Sequence, residues 1–516
     1  MKKLLAGVLC LTLAGTTTFA QRDKPAAKFS KEIKASSIKE KLTIIASDEM
    51  QGRATATEGQ RKAAAYIEAQ FKALGLQPGT TNGFQQQYPV YYDTISQAKL
   101  SVNGKAFSFG KDFVIGLEQL ADTTAAIKEI VLAGYGITDS IYDDYRDLDV
   151  KGKCVLIAEG EPKLENGNYL LTGTTKASRS AGQFVKLTNA MKHGAAMVLY
   201  YRQAPQSSFP ALALKSGQYF YPKKQNGKFG INSITINDQV LEAIAEGLSK
   251  DLDGMIEAGN SLSTTLTTDI NITLEKKQLN VFSSNVIGVL PGTDKKDEYV
   301  FITAHYDHLG ISSTGKIFYG ADDDGSGTAA VIEMAKAFKA ASDKGKGPRR
   351  SIVFMTVSGE EKGLWGSSYY TDNPTVSLPK VSADLNIDMI GRVDTSYRGN
   401  PNNYLYVIGD DKISSDLTPI TDSINKAYLK MELDRKYNDP SDPNRIFYRS
   451  DHYNFAKHNV PIIFYFSGLH PDYHRTTDTV DKIRFDLMEK RTRLIFLTGW
   501  AIANRDELLI RDRPLK

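Results

Sequence analysis

From about residue 275 onward the chain alternates between short apolar runs and segments whose apolar residues recur with a helical period. The runs Asn285 to Leu290, Tyr299 to Thr303, Ser351 to Val357, Ala383 to Ile387 and Pro461 to Phe466 have the length and composition of buried strands. Helical spacing predicts helices over Ser326 to Ala341, Ser415 to Leu429 and Leu487 to Ala503. In the first of these, Val331, Met334, Ala335 and Phe338 fall on one face. Such alternation predicts an α/β fold, a layered sheet covered by helices.

The earlier part of the chain reads differently. Residues 37 to 47 and 58 to 74 are predicted helices, the second carrying Ala64, Ile67, Phe71 and Leu74 at helical spacing and Gly75 as its stop. From Phe84 to about Leu117 short alternating runs take over, with Asn103-Gly104 as a hairpin turn. Near residue 120 another unit begins. Strands are expected at Ile127 to Tyr135, Lys153 to Glu159 and Ala195 to Tyr201, with a helix at Gln183 to His193. Polar stretches from Glu161 to Ser180 and Gln203 to Lys228 interrupt them. A pattern that stops and later resumes indicates an inserted domain, placed at 120–265, within a discontinuous domain formed by 21–119 and 266–516.

The first 20 residues have the form of a signal peptide. Lys2 and Lys3 supply the positive start, Leu4 to Ala14 an apolar stretch too short to span a bilayer, and Thr18-Phe19-Ala20 a cleavage site. Cleavage leaves Gln21 first and implies export to the periplasm or beyond the cell. Cys10 offers a lipoprotein alternative, against which Leu9 is too bulky for the position before a lipidated cysteine. No later apolar stretch is long enough for a membrane helix.

Losing Lys2 and Lys3 takes the formal charge from +4 to about +2, which gives no electrostatic case for nucleic acid or anionic lipid. Cys154 is then the one cysteine remaining, so no intramolecular disulfide can form, and it is expected to pack as a small apolar residue. At 516 residues the chain is too long for one ordinary core.

Five candidate metal ligands follow apolar runs in the last part of the chain. They are His305 in Ile302-Thr303-Ala304-His305-Tyr306-Asp307, Asp323 in the triplet Asp322-Asp323-Asp324, Glu361 beside Glu360, Asp388 in Asn386-Ile387-Asp388-Met389, and His474 after Tyr473. Ligand sites in α/β sheets lie beyond the carboxyl ends of strands, where residues remote in sequence can meet. Two imidazoles and three carboxylates are the set that two zinc ions need if they share one carboxylate. Asp307 is placed to anchor the second nitrogen of His305. Each motif has a plainer reading: Asp324 or Ser326 could simply cap a helix, Glu360-Glu361 could be a solvated strand end, and His474 a loop histidine. Capping needs only one carboxylate, however, and three adjacent like charges call for something positive among them. Six of the seven histidines lie after residue 300, which favours metal in that region.

Taken in order, Asn285-Val286-Ile287-Gly288 and the motifs through Tyr473-His474 resemble the secreted co-catalytic di-zinc aminopeptidases. That family also contains glutamate carboxypeptidase, the transferrin receptor and glutaminyl cyclase. Ser47-Asp48-Glu49 and Gly52-Arg53 are similar to its lead-in, with Ala56 where glycine is frequent. The segment with Tyr145-Arg146-Asp147-Leu148 resembles the protease-associated insert many members carry. The resemblance implies a three-layer α/β/α zinc-peptidase fold with a mixed sheet. It implies one zinc on His305 and Asp388, another on Glu361 and His474, and Asp323 bridging them. It gives Glu360 as general base toward an activated water, Asp307 as the carboxylate behind His305, and Tyr473 as donor to the developing oxyanion. Arg449 matches a substrate-side arginine of some members, and the Asp323-Asp324 peptide bond is expected to be cis. The implied activity is release of N-terminal residues from a peptide or protein. The alternatives are a carboxypeptidase, a glutaminyl cyclase-like enzyme with one zinc, and a receptor-like binding protein with a dead site. The oligomeric state is left open.

Overall fold

The computed structural model describes residues 23–116, 121–203, 217–220, 231–245 and 264–515. The expected leader over residues 1–20 and most of the polar stretch from Gln203 to Lys228 lie outside these residues. The chain divides into two compact units, one of residues up to Tyr88 and from Phe282 onward, the other Pro89–Val281.

In the first unit the sheet strands are β1 (Thr264–Leu290, whose last residues belong here), β2 (Lys295–His305), β3 (Arg350–Val357), β4 (Val381–Ile387), β5 (Tyr404–Ile408), β6 (Glu432–Asp434) and β7 (Ile462–Phe466). They lie in the order β6-β5-β7-β4-β2-β3-β1. Strands β7, β4, β2 and β3 run parallel, while β1 and β5 are antiparallel to their neighbours β3 and β7, so the sheet is mixed. The strand β5 is absent from the elements expected from the sequence, because its five buried residues sit in a polar surrounding that hid the run.

Both faces of the sheet are covered, which is why its central strands are apolar throughout rather than alternating. Val300, Ile302 and Ala304 of β2 pack into the core that contains helices α1 (Ala35–Ile45), α2 (Glu58–Ala73), α3 (Gly325–Asp343), α5 (Leu417–Tyr428) and α7 (Phe485–Ala503). Phe301, between them, faces the opposite core with Tyr370 of α4 (Trp365–Asp372) and Phe455 of α6 (His452–Lys457). The α/β/α layering follows. Helix α3 is the central support, and its Met334, Ala335 and Phe338 are fully buried as their spacing predicts. Each large apolar side chain buried in this way contributes roughly 1.5–3 kcal/mol. Glu333 on the same helix is also buried, and Lys41 of α1 at 2.7 Å supplies its counter-charge.

The second unit has its own core, in which Leu100, Val102 and Phe113 join Ile130, Leu156 and Leu199. Its strands Thr123–Leu132, Cys154–Ala158, Met197–Tyr201 and Asn232–Ile236 are parallel neighbours. The Asn103-Gly104 turn forms where the sequence places it, with φ of 49° and 80° and Val102 paired to Lys105. The unit boundaries fall at 88/89 and 281/282 rather than at the expected 120 and 265. The physical reason is that the hairpin strands after residue 89 bury their apolar face in this core. Cys154 is buried there as a free thiol.

Candidate metal centre

The carboxyl ends of the parallel strands converge because their registers match. His305 pairs with Val357 and Ala304 with Ile387, so His305, Ser358 and Asp388 leave the sheet at one level. After β3 the chain turns sharply at Gly359, whose φ is 75° and whose Cβ, if present, would lie 2.8 Å from both Trp365 and the Tyr88 hydroxyl. That turn brings Glu360 and Glu361 back over the sheet edge.

The Asp322 to Asp324 triplet divides its work. Asp324 caps α3, accepting from the Gly327 N–H at 2.8 Å, and also takes the Met389 N–H at 3.0 Å. Asp322 accepts from the Gly391 N–H and lies 3.3 Å from His470 Nε2. Asp323 is the one turned toward His305, His308 and His474. The peptide bond between Asp323 and Asp324 is cis.

Around Asp323 two groups form. In one, His305 Nε2 lies 3.3 Å from Asp323 Oδ1 and 3.5 Å from Asp388 Oδ1. In the other, His474 Nε2 lies 3.2 Å from Asp323 Oδ2 and 3.1 Å from Glu361 Oε2. The structure thus brings together all five side chains expected as ligands, with Asp323 between the two groups. It adds a sixth. His308 Nδ1 is 3.7 Å from Asp323 Oδ2 and 2.7 Å from Glu361 Oε1. Ligand atoms of His305, Asp323 and Asp388 lie within 4.8 Å of one another, as do those of His308, Asp323 and Glu361.

These residues fit a cation. His305 Nε2, both nitrogens of His308, Asp323 Oδ2 and Glu361 Oε1 are buried without a hydrogen-bond partner, an expensive state that metal coordination relieves. The field points the same way. Burial lowers the pKa of His474, but Asp323 and Glu361 outweigh it and carry the value up to about 10. Imidazole nitrogen and carboxylate oxygen in groups of three or four suit zinc.

Glu360 stands beside the first group, with Oε2 4.0 Å from His305 Nε2. Burial raises its pKa well above the usual carboxyl range; His305 opposes this, and Glu361, Asp388 and Asp451 add to it. Tyr473 and Arg449 line the same cleft as Asp323, Glu360 and Asp388. Arg449 Nη2 donates to the Tyr473 hydroxyl at 3.1 Å.

Asp307 does something other than expected. His305 Nδ1 bonds to the main-chain oxygen of Asp307 at 3.1 Å, while the carboxylate is 3.8 Å away. That carboxylate instead accepts from Thr55 Oγ1 at 2.6 Å and from the Glu360 N–H at 3.2 Å. It therefore holds the backbone of Glu360 as well as facing His305. Arg53, fully buried, donates to the carbonyls of Tyr306, Tyr319 and Gly320 and ties together the loops on either side of the cluster. Neither the role of Thr55 nor that of Arg53 is visible in local pattern. The placement of His308 had a signal, a second histidine three residues past His305.

Residues 285–498 match the family model described as Peptidase family M28. Aminopeptidase YwaD of Bacillus subtilis is 33% identical over 190 residues, 35% of this chain and 39% of that protein. Leucine aminopeptidase 1 of Arthroderma otae is 29% identical over 237 residues, 43% of this chain and 60% of that protein. The chain thus spans between 39% and 60% of the length of these two relatives. Among solved structures, an aminopeptidase from Aneurinibacillus sp. strain AM-1 aligns with a TM-score of 0.54 at 18% identity, over 95% of this chain and 100% of that one. The zinc aminopeptidase BSAP from Bacillus subtilis gives 0.53 at 20% identity, over 93% and 98%. At such identities the two structures speak for the fold. The segment that carries the cluster matches the Peptidase family M28 model, and the aminopeptidases named above are what this part of the chain is similar to.

Proposed function

We propose that the chain is an exported zinc metallopeptidase that releases N-terminal residues from peptides, with two metal ions in its site. The observation that carries this reading is the position of Asp323, whose two oxygens each face a separate histidine and carboxylate group. His305, Asp323 and Asp388 would hold one ion and Asp323, Glu361 and His474 the other. When bound, such ions lower the pKa of water and polarise a carbonyl.

The chain's own residues account for the proton movements. Glu360, with its carboxyl shifted upward, takes the proton from the attacking water and delivers it to the leaving amine. Tyr473 donates its hydroxyl to the oxygen on which negative charge develops, and Arg449 aims that hydroxyl. Thr55 and Glu360 N–H fix Asp307, so the base is held from its backbone side. Glu360 and Asp388 present negative charge to a free substrate amine. Arg449 is the one cation among the described residues lining the cleft, and it is engaged with Tyr473. That favours recognition of an amino terminus over a carboxylate. Ile446, Phe464, Phe466 and Leu469 on the cleft wall suit an apolar side chain there. The names of the relatives, aminopeptidase and leucine aminopeptidase, agree.

The test is hydrolysis of leucine, lysine and glutamate anilides beside an N-acetylated peptide. Leucine anilide should be cleaved fastest and the blocked peptide left intact; cleavage of the blocked peptide from its carboxyl end would reverse the assignment. The unit Pro89–Val281 is proposed as the protease-associated insert, on the resemblance around Tyr145. Export predicts a secreted chain beginning at or near Gln21 by mass spectrometry, and a lipid on Cys10 or an intact start would overturn it. No helix among the described residues is long and apolar enough to cross a membrane.

A further inference from the structure

We infer that His308 is itself a ligand at the second metal position, so that this position has four protein donors, His308, Asp323, Glu361 and His474, against three at the first. The inference rests on the two-ion reading above and deepens it by making the two positions unequal.

The ring of His308 is fully buried, and neither nitrogen has a hydrogen-bond partner. A buried imidazole is normally anchored by at least one bond, so two orphan nitrogens at one ring require an explanation. Its Nδ1 points into the cluster. It lies 2.7 Å from Glu361 Oε1 and 3.7 Å from Asp323 Oδ2, and one ligand atom from each of the three residues falls within 4.8 Å of the others, a spacing that one cation could occupy. The backbone seats the ring there. His308 N–H donates to the Arg53 carbonyl at 3.3 Å. Gly320, at φ 53°, leaves free the place where a Cβ would lie 2.5 Å from His308 Cγ. His474 approaches from the other side, its ring edge-on to that of His308 at 5.9 Å between centroids.

Four protein donors close a tetrahedral zinc site, whereas three leave a position open. The second position is therefore the tighter one. The first, on His305, Asp323 and Asp388 beside Glu360, is the one with room for substrate.

Metal-free protein titrated with zinc against a competing chelator tests this. The wild-type chain should take two ions with unequal affinity. His308→Ala should weaken the tighter one by at least the roughly 10- to 100-fold seen when supporting partners of a ligand are lost. Asp388→Ala should weaken the other. X-ray absorption of the zinc-loaded wild-type chain, which needs no variant to fold, should count three imidazoles across the two ions. Two imidazoles, or a His308→Ala chain that binds both ions as wild type does, would overturn the inference and leave the two-ion reading standing. A wild-type chain that binds one ion or none overturns the two-ion reading and this inference with it.

Discussion

The guanidinium of Arg449 donates to the hydroxyl of Tyr473 at 3.1 Å, joining a loop before α6 to the loop after β7 across the cleft. The bond leaves the Tyr473 proton free to point elsewhere, since the hydroxyl acts toward Arg449 as an acceptor. Burial raises the pKa of Tyr473 well above its ordinary value, the carboxylates of Asp323, Glu361 and Asp388 reinforce this, and Arg449 opposes it. The phenol therefore stays protonated across the neutral and mildly alkaline range. Tyr473→Phe should lower kcat by about 10²- to 10³-fold, the cost of losing one oxyanion donor. Arg449→Met should cost less, about tenfold, because Tyr473 remains but is no longer aimed. Steady-state kinetics on leucine anilide measure both, and the pH–rate profile of the wild type should show no alkaline loss that Tyr473→Phe removes.

Glu360 and Glu361 are adjacent in sequence and separate in position, one beside His305 and the other between His308 and His474. Glu360→Gln keeps the shape and removes the base, so kcat should fall by about 10²- to 10⁴-fold with metal content unchanged. Glu361→Gln should lose metal first and regain part of its activity in excess zinc. Elemental analysis alongside kinetics distinguishes them, and a reversed pattern would exchange the two roles.

Asp307 holds the backbone of Glu360, while its main-chain oxygen anchors His305. Asp307→Asn leaves the main-chain anchor in place but keeps one acceptor oxygen where two are used, by Thr55 and by Glu360 N–H. Zinc affinity should therefore change little while kcat drops by about tenfold or more. A variant whose zinc affinity falls as far as its kcat would place the effect on His305 instead.

Ala56 has φ of 62°, in the left-handed region that costs a side chain roughly 1–2 kcal/mol. Glycine removes that cost and adds about 0.5–1 kcal/mol of chain entropy to the unfolded state. Ala56→Gly should raise stability by about 0.5–1 kcal/mol, read as a shift in the urea midpoint at unchanged slope.

Much of the architecture was legible from local pattern because strands and helices impose periods of their own. The runs ending at Thr303, Val357 and Ile387 became β2, β3 and β4, and the apolar face of α3 lies where Val331, Met334 and Phe338 predicted. The sequence by itself also singled out His305, Asp323, Glu361, Asp388 and His474 as candidate ligands, since these histidines and carboxylates follow apolar runs in the last part of the chain. Only the tertiary structure decided the rest. Register set His305 level with Asp388, packing buried His308 beside Glu361, and the fold of one loop gave His305 a carbonyl partner where a carboxylate was expected. The hairpin strands joined the second unit for the same kind of reason, a shared core with residues far along the chain. Periodicity reports the face a residue turns toward the interior; it carries no information about which distant residue waits there, because that depends on pairing and closure over the whole chain.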